Sequence, residues 1–415
     1  MLRSTLRVYL IFLIIFQAAE CSEDQYRCSS GECVQLSQVC DGSPHCPDGS
    51  DEHEVQCAAV CLGNGGCGEV CLPTPSGPVC RCQPGHQAVT TGEGDLGMCE
   101  DVDECLLVSS CAQVCTNTKG SYKCSCQPGF TQEHHHCRAQ GEPARLLYVL
   151  GGKVEGLTLS GDSLVRPELE MSSQEVEIRN YDFHPLTGEF YWTSQSRGIV
   201  GRYQPETRDN EVWLEGLERP DQVAVDWLTG NVYLSHTGSP NLTVCSRSGL
   251  CLALTTTLVT ITQVRLDPAA GLMFVAGYHR QDNQPSRSGA IYPYTMAAHP
   301  VEEADIMDTG IPTGLTLDTE MRRVYWTNFP SYDINMCNYR GQKCSKILRT
   351  SHDLPNFIAF FESKLFWISG DEGHLFSYDI VEQNTRSVLP SNLQVKTSIS
   401  IFAASQPSYP ATLTV

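Results

Sequence analysis

The sequence predicts a mainly β protein, in which a six-bladed β-propeller follows three small disulfide-rich modules. Eighteen of the 22 cysteines lie between Cys21 and Cys137, which predicts small cross-linked modules in this part of the 415-residue chain. After Cys137 the chain consists of short β-rich runs in which an aromatic residue recurs about every 42 residues. A period of this length with several strands per repeat is typical of a propeller.

The first 19 residues have the pattern of a secretory signal peptide. Arg3 and Arg7 precede the apolar run Val8–Phe16 and the small pair Ala18-Ala19. Nine apolar residues are too few to cross a bilayer, so we expect an extracellular chain. Its formal net charge of −20 disfavours nucleic-acid binding and favours basic proteins or cations as partners.

The first eighteen cysteines form three groups of six, and we place the modules at residues 20–58, 59–100 and 101–138. Six cysteines allow 15 pairings, so spacing alone leaves the connectivity open. The groups are Cys21, Cys28, Cys33, Cys40, Cys46 and Cys57; Cys61, Cys67, Cys71, Cys80, Cys82 and Cys99; and Cys105, Cys111, Cys115, Cys124, Cys126 and Cys137.

The motifs inside these groups resemble known extracellular modules. The first group, with "GEC", "CDG" and "DGSDE", resembles an LDL-receptor class A module, and the other two, with "CRCQPGH" and "CSCQPGF", resemble EGF-like modules. The class A resemblance implies the pairs Cys21–Cys33, Cys28–Cys46 and Cys40–Cys57. The EGF resemblance implies Cys61–Cys71, Cys67–Cys80, Cys82–Cys99, Cys105–Cys115, Cys111–Cys124 and Cys126–Cys137.

The second EGF-like module resembles the calcium-binding type through "DVDEC" and "CTNTKGSYKC". The resemblance implies side-chain ligands from Asp101, Glu104 and Asn117 and carbonyl ligands from Val102 and Thr118, all oxygen donors of the kind that Ca²⁺ prefers. The same segment fits the pattern for β-hydroxylation of Asn117. An acidic linker without calcium is the alternative, and the first EGF-like module lacks the acidic pair.

The class A resemblance implies a second calcium site with one unusual member. Its ligands would be the side chains of Asp41, Asp51 and Glu52, the carbonyls of Gln38 and Ser43, and an acid at position 45, which here is His45. An imidazole is a poor ligand for a hard cation, so we expect weakened calcium binding that weakens further on acidification. Capture of a partner lysine should also be poor, which leaves a spacer role as the alternative and gives the main binding role to the propeller.

The propeller prediction depends on the aromatic anchors Tyr148, Tyr191, Tyr233, Phe274, Tyr325 and Phe366, which are 41 to 43 residues apart except for one step of 51. The long step predicts an inserted loop at His279–Thr295. Tyr148 has no preceding strand and Ser398–Ser405 has no following anchor, so the C-terminal strand should close the ring. "FYWTS", "VYWTN" and "VDWLTGNVYL" resemble the YWTD six-bladed propeller of the LDL receptor family, over residues 145–408, which leaves 409–415 as a tail.

The remaining motifs have mainly structural interpretations. Cys245–Cys251 and Cys337–Cys344 should each staple a hairpin, with free thiols as the alternative, and "NLT" at Asn241 predicts glycosylation of an exposed turn. The hydrolase-like "GDSL" at Gly161–Leu164 lacks a partner motif. "EHHHC" at Glu133–Cys137 is interpreted as a solvated loop rather than a zinc cluster. We therefore predict no enzyme activity.

The resemblance implies an extracellular ligand-binding protein of the LDL-receptor type, that is, an endocytic receptor ectodomain for lipoprotein or yolk protein, with two Ca²⁺ sites. A single class A module and no later span predict a truncated, secreted member, or part of a longer type I membrane receptor. The alternative is a nidogen-like matrix or adhesion component that binds through the propeller face.

Overall fold

The computed structural model describes residues 21–22, 24–52, 57, 60–89, 98–107, 109–141, 143–150, 153–160, 163–165, 171–172, 177–204, 206–258, 260–279, 288–302, 304, 307–350, 355–369, 373–388 and 399–402. The predicted signal peptide (1–19) and C-terminal tail (409–415) lie outside these residues. The chain forms two compact units: one is residues 1–104 with Asn117–Lys123, and the other is Cys105–Thr116 with residues 124–415.

Small antiparallel hairpins build the cysteine-rich part, because chains this short lack the apolar residues for a larger core. They pair β1 with β2, β3 with β4, β5 with β6, β7 with β8 and β9 with β10. The strands are β1 Gln25–Arg27, β2 Cys33–Gln35, β3 Val70–Thr74, β4 Gly77–Arg81, β5 His86–Val89, β6 Met98–Asp101, β7 Val114–Thr118, β8 Ser121–Ser125, β9 Phe130–Glu133 and β10 His136–Ala139. Short 3-10 helices occupy Leu36–Gln38, Leu62–Gly66 and Glu104–Leu106.

Disulfides replace a large core in these modules, and they stabilise mainly by restricting the unfolded chain. Their pairs coincide with those implied by the class A and EGF resemblances. They are Cys21–Cys33, Cys28–Cys46, Cys40–Cys57, Cys61–Cys71, Cys67–Cys80, Cys82–Cys99, Cys105–Cys115, Cys111–Cys124 and Cys126–Cys137.

The second unit contains a β-propeller built from successive antiparallel sheets. Its strands are β11 Ala144–Leu150, β12 Lys153–Ser160, β13 Ser163–Val165, β14 Met171–Ser172, β15 Asn180–Phe183, β16 Phe190–Ser194, β17 Ile199–Gln204, β18 Asp209–Leu214, β19 Pro220–Val225, β20 Val232–His236, β21 Asn241–Cys245, β22 Cys251–Thr255, β23 Thr260–Asp267, β24 Leu272–His279, β25 Ser288–Thr295, β26 Met307–Thr309, β27 Ile311–Asp318, β28 Arg323–Phe329, β29 Asp333–Asn338, β30 Ser345–Arg349, β31 Pro355–Phe361, β32 Lys364–Ser369, β33 Leu375–Asp379, β34 Asn384–Ser387 and β35 Ile399–Phe402.

Among the described residues, five of these sheets are regular four-stranded blades, formed by β15–β18, β19–β22, β23–β26, β27–β30 and β31–β34. Six equivalent blades were expected, so this part of the prediction is corrected to five. The remaining sheet is irregular, because β35 from the C-terminal part of the chain pairs with β11, β11 with β12, and β12 with both β13 and β14. Tyr148 lies opposite Ile399 in this pairing, as the closure argument predicts.

The six aromatic anchors are all buried, and each lies on the strand that follows the innermost strand of its sheet. Tyr325, for example, is fully buried and packs with Ile358, Leu365 and Trp367 of the next blade. A large ring at this position therefore fills the space between neighbouring sheets. This packing explains why the aromatic recurs once per blade in the sequence.

Two expectations about segments of the propeller are corrected. The insertion expected as a loop over His279–Thr295 includes β25, because Ser288–Thr295 pairs with β24; residues 280–287 lie outside the described part. Asn241 was expected in an exposed turn, but it is half-buried and opens β21. Within the described residues, none of the helices has the length and apolar character needed to span a membrane.

Candidate calcium sites

The acidic loop of the first module brings the side chains of Asp41, Asp51 and Glu52 together by hydrogen bonds to its own backbone. Glu52 accepts hydrogen bonds from the amides of Asp41 (2.7 Å) and Gly42 (3.0 Å). Asp51 is fully buried, and its Oδ2 accepts a hydrogen bond from the His45 amide at 2.6 Å. The loop therefore closes on its carboxylates, as a cation-binding loop does.

Asp51 is the member of this loop that best matches a metal ligand. Burial opposes its ionisation, but the amide donors of His45 and Cys46 outweigh burial and hold its pKa below the usual value. Its Oδ1 is buried and has no hydrogen-bond partner among the described residues. A buried carboxylate oxygen without a partner costs free energy unless something else binds it, and a Ca²⁺ ion fits that requirement.

His45 lies beside the same carboxylates, where a fourth acid was expected. Its Nδ1 is 3.7 Å from Asp41 Oδ1 and 3.9 Å from Asp51 Oδ2. The two residues expected to give carbonyl ligands, Gln38 and Ser43, lie at the ends of the loop. Gln38 ends a 3-10 turn and its side chain accepts a hydrogen bond from the Gln35 amide, whereas the Ser43 amide donates to Asp41.

The start of the second EGF-like module gathers a second set of oxygen-bearing side chains. Asn117 Nδ2 donates to Asp101 Oδ2 at 2.7 Å, and the Gly120 amide donates to Asp101 Oδ1. These donors hold the pKa of Asp101 below its usual value, the Gly120 amide contributing most. Rotation of the Asn117 amide by half a turn would present its oxygen beside this carboxylate, so the pair suits a hard cation.

The other expected members of this set lie on the adjoining backbone. The Val102 amide donates to the Gly85 carbonyl at 2.8 Å, and the Glu104 amide donates to the Val102 carbonyl at 3.1 Å, which places Glu104 in the turn after Asp101. Thr118 follows Asn117 at the end of β7, where its hydroxyl donates to the Ser121 carbonyl. All five expected positions thus lie on the β6 end, the turn after it and the β7 end.

A close contact between Gly85 and Gly120 at this junction was not predicted from the sequence. Gly85 has φ of +84°, and a Cβ placed on it would lie 2.1 Å from the Gly120 carbonyl oxygen. Any side chain at Gly85 would therefore push away the turn whose amide holds Asp101. The "QPG" motif that identified the module contains this glycine, but its contact with the next module has no signal in a single sequence.

The three histidines of "EHHHC" have different surroundings. His134 is exposed, His135 Nδ1 lies 3.1 Å from the Ser110 carbonyl, and His136 Nδ1 lies 3.1 Å from the hydroxyl of Ser363. His136 also faces Asp379 and Glu382, at 3.9 and 3.5 Å. These side chains are therefore divided between the module and the propeller instead of meeting at one site.

The remaining motifs have structural surroundings. Cys245–Cys251 joins β21 to β22, and Cys337–Cys344 joins β29 to the segment before β30. Thr243 of the glycosylation motif donates or accepts a hydrogen bond with His236 at 2.8 Å. Of "GDSL", Ser163 and Leu164 belong to β13, and Gly161 lies outside the described residues.

Comparison with known families identifies the two modules that carry these sites. Residues 19–57 match the family described as "Low-density lipoprotein receptor domain class A", and residues 101–137 match "Calcium-binding EGF domain". Both kinds of module bind Ca²⁺ in general. The matches enclose the residues around Asp51 and Asp101, respectively.

Three proteins with similar sequences are named as receptors or as receptor-related proteins. The chain is 29% identical over 321 residues to "Vitellogenin receptor" of Solenopsis invicta, which covers 76% of this chain and 18% of the relative. It is 36% identical over 234 residues to "Vitellogenin receptor Yl" of Drosophila melanogaster (55% and 11%). It is 31% identical over 281 residues to "Low-density lipoprotein receptor-related protein 8" of Homo sapiens (56% and 28%). The chain thus spans less than a third of each relative.

A solved structure shares the fold. A chain of "Crystal structure of Nidogen/Laminin Complex" superposes with a TM-score of 0.55 at 16% identity, covering 63% of this chain and 100% of that chain. At this identity the likeness is one of architecture, and it agrees with a propeller in the larger unit.

Proposed function

Because this chain is a member of the LDL receptor family, we propose that it acts as an extracellular, calcium-dependent receptor ectodomain for a yolk or lipoprotein ligand. The names of the relatives support a vitellogenin-like or lipoprotein ligand. The acidic net charge of −20 favours a basic surface on that ligand.

The observation that carries the proposal is the buried carboxylate of Asp51, with one oxygen that no described group satisfies. We propose that Asp41, Asp51 and Glu52, with the carbonyls of Gln38 and Ser43, hold Ca²⁺ in the first module. A bound Ca²⁺ supplies the positive charge that lets these carboxylates stay together. His45 occupies the fourth acidic position and lowers the affinity of the site.

A second Ca²⁺ site is proposed at the EGF junction, with ligands Asp101, Val102, Glu104, Asn117 and Thr118. The contact between Asp101 and Asn117 and the ionised state of Asp101 support it. Its proposed role is to fix the β6 end against the β7–β8 hairpin, which would orient successive modules for the ligand. Hydroxylation of Asn117 remains part of this proposal.

The irregular sheet is proposed to close the ring beside the five regular blades. β35 takes the innermost position, and β11 carries Tyr148 in the second position, as Tyr191, Tyr233, Phe274, Tyr325 and Phe366 do in their blades. Proposed module limits are 20–58, 59–100, 101–138 and 145–408. Glycosylation at Asn241 and an extracellular location complete the proposal.

Ligand binding to the purified full chain tests this function. Labelled vitellogenin and low-density lipoprotein should bind in Ca²⁺ and dissociate on chelation, and laminin should not compete. Asp51→Asn should reduce binding, because it removes a charged ligand of the metal while keeping the amide contact to His45. Asp209→Asn, at an exposed position of β18, is the matched control and should bind normally. Calcium-independent binding, or preferential binding of laminin, would contradict the receptor proposal.

A further inference from the structure

The channel of the propeller contains a cavity of 290 Å³ that the proposed receptor function does not use. Five innermost strands contribute one residue each to the same layer of its wall, and each of these residues lies opposite the aromatic anchor of its blade. They are Asp182 opposite Tyr191, Ala224 opposite Tyr233, Arg265 opposite Phe274, Thr316 opposite Tyr325 and Ala359 opposite Phe366.

The five residues of this layer differ in size and charge. Ala224, Thr316 and Ala359 are small, which makes room for the cavity, whereas Asp182 and Arg265 carry opposite charges and are separated by one blade. The two charged groups face a common space, but no direct ion pair within 4.0 Å joins them among the described contacts. Two opposite charges that could pair with each other are therefore left apart at the same cavity.

The structure describes one hydrogen bond between each charged group and the rest of the protein. Asp182 Oδ2 accepts the Val225 amide at 2.8 Å, and Arg265 Nη1 donates to its neighbouring carbonyl, that of Val264, at 2.8 Å. Both side chains are half-buried, so their remaining polar atoms can face the cavity. Burial raises the pKa of Asp182 to about 6 and lowers that of Arg265, so each charged form is less well solvated than it would be in open water.

The rim of the cavity, at the strand ends and the turns that follow them, is mixed, because Asp267, Thr319 and Arg322 line it beside apolar residues. Pro185, Trp227, Ala269 and Phe360 line it beyond the charged layer. A ligand that fits would have one positive and one negative group close together and a small apolar body. A volume of 290 Å³ is at the lower end of small-molecule sites, which run from roughly 300 to 1,000 Å³.

We propose that this cavity binds a free α-amino acid with an apolar side chain, whose carboxylate pairs with Arg265 and whose ammonium group pairs with Asp182. The planar guanidinium suits a carboxylate, because it can donate two parallel hydrogen bonds to it. The apolar side chain then lies against Trp227 and Phe360. The ligand completes the charge neutralisation that the protein leaves open.

Calorimetric titration of the full chain with leucine tests the site, with N-acetyl-leucine and 3-methylbutylamine as probes that lack the ammonium and the carboxylate, respectively. Leucine should bind at millimolar concentration and raise the melting temperature, and both probes should be at least about tenfold weaker, the effect of losing one charged hydrogen-bonded pair. Equal binding of N-acetyl-leucine would show a simple anion site at Arg265. That result, or the absence of leucine binding, would overturn the proposal.

Substitutions in the full chain test whether leucine binds in this cavity. Asp182→Asn removes the charge at constant size, and Arg265→Gln replaces the guanidinium by a shorter neutral amide; each should weaken leucine binding by about tenfold or more. Ala224→Leu should block binding by filling the cavity while leaving both charges. Arg349→Gln, at an exposed position of β30, is the control and should bind as the wild type does. Each variant is first shown to melt cooperatively, and unchanged leucine affinity in a folded Asp182 or Arg265 variant would refute the assignment.

Discussion

Arg138, at the end of the second EGF-like module, forms an ion pair with Glu362 in the turn between β31 and β32 of the propeller, at 2.9 Å between Nη1 and Oε2. Glu362 Oε1 also accepts the Ala139 amide at 3.0 Å. One carboxylate therefore holds both a side chain and the backbone of the segment that leads into β11. Residues 105–116 and 124–415 form one compact unit, and this contact lies inside it.

Two substitutions of Glu362 should show how much the ion pair with Arg138 and the hydrogen bond to the Ala139 amide each contribute to stability. Glu362→Gln keeps an acceptor for Ala139 but loses the ion pair, and should cost about 1 kcal/mol, whereas Glu362→Ala should cost about 2 kcal/mol because both contacts are lost. Urea unfolding of the full chain measures the difference. Glu211→Gln, in an exposed ion pair with Arg202, is the control and should change the stability little. Equal stability of the two Glu362 variants would contradict a separate contribution of the hydrogen bond to the Ala139 amide.

His45→Asp should strengthen calcium binding in the first module, because it restores an oxygen ligand beside Asp41 and Asp51. We expect about a tenfold gain in affinity, equivalent to about 1.4 kcal/mol. Calorimetry of the full chain carrying Asp101→Ala, which silences the EGF site, isolates this effect. His45→Asn is the control for loss of the imidazole alone. An unchanged affinity in the Asp variant would remove position 45 from the site.

Asn117→Ala should weaken the EGF site by removing a ligand beside Asp101. At a Ca²⁺ concentration a hundredfold above Kd, the wild-type site should gain about 2.7 kcal/mol from occupancy, and the variant should gain less. Limited proteolysis between Cys99 and Cys105, with and without Ca²⁺, reports the change. Asn64→Ala, in the first EGF-like module, is the comparison. Equal calcium protection in the wild type and the Asn117 variant would exclude this ligand.

Deletion of residues 396–415 should unfold the propeller as a whole, because it removes the strand paired with β11 and leaves two open edges in the ring. Ile401→Pro is a milder test, since proline cannot donate a hydrogen bond to the strand ladder opposite Leu146. Calorimetry should show a lower melting temperature for the whole propeller transition. A full-height transition near the wild-type temperature would mean that closure contributes little.

Asp318 gives a pH-dependent prediction. It is 4% exposed, burial raises its pKa to about 6, and its Oδ2 has no partner among the described residues. The native state therefore binds a proton more tightly than the unfolded state, so stability should be highest below pH 4 for this group and fall as pH rises through 6. The loss should be about 3 kcal/mol.

Asp318→Asn removes this penalty and keeps the acceptor for the Met321 amide, which donates to Oδ1 at 3.0 Å. The variant should be more stable than the wild type at pH 7.5 and nearly equal to it at pH 4. Denaturant unfolding at both pH values gives the two differences. Asp209→Asn at an exposed position should show no such pH-dependent gain. A gain of the same size at both pH values would point to a cause other than titration.

The sequence was informative where a residue has one structural use. The aromatic anchors gave the propeller, because a large ring is needed between each pair of sheets, and the unpaired ends of the repeat gave the contact of Tyr148 with the C-terminal strand. The number of regular blades was wrong, since periodicity counts anchors and not strands. β13 and β14 both pair with β12, and nothing in their sequences marks that division.

Contacts between distant segments were the main omissions. Asp182 and Arg265 occupy equivalent positions in different repeats, and an alignment of the repeats could have shown this. Only the structure shows that both residues line the same cavity. The Arg138–Glu362 pair is 224 residues apart in the chain and has no local signal. The proposed calcium loop of the first module differs, since its residues are close in sequence and the resemblance to class A modules implied them.

The pairing of β11 with β35 also has a consequence for biosynthesis. β11 leaves the ribosome long before its partner, since Leu150 and Ile399 are separated by some 250 residues. Synthesis of that length takes on the order of 10 to 50 s at roughly 5–20 residues per second. During that interval β11 can pair with β12, but its other edge, along the apolar residues Leu146, Leu147 and Tyr148, lacks its partner strand. Folding of this protein should therefore depend on a chaperone that shields this edge until β35 has been synthesised.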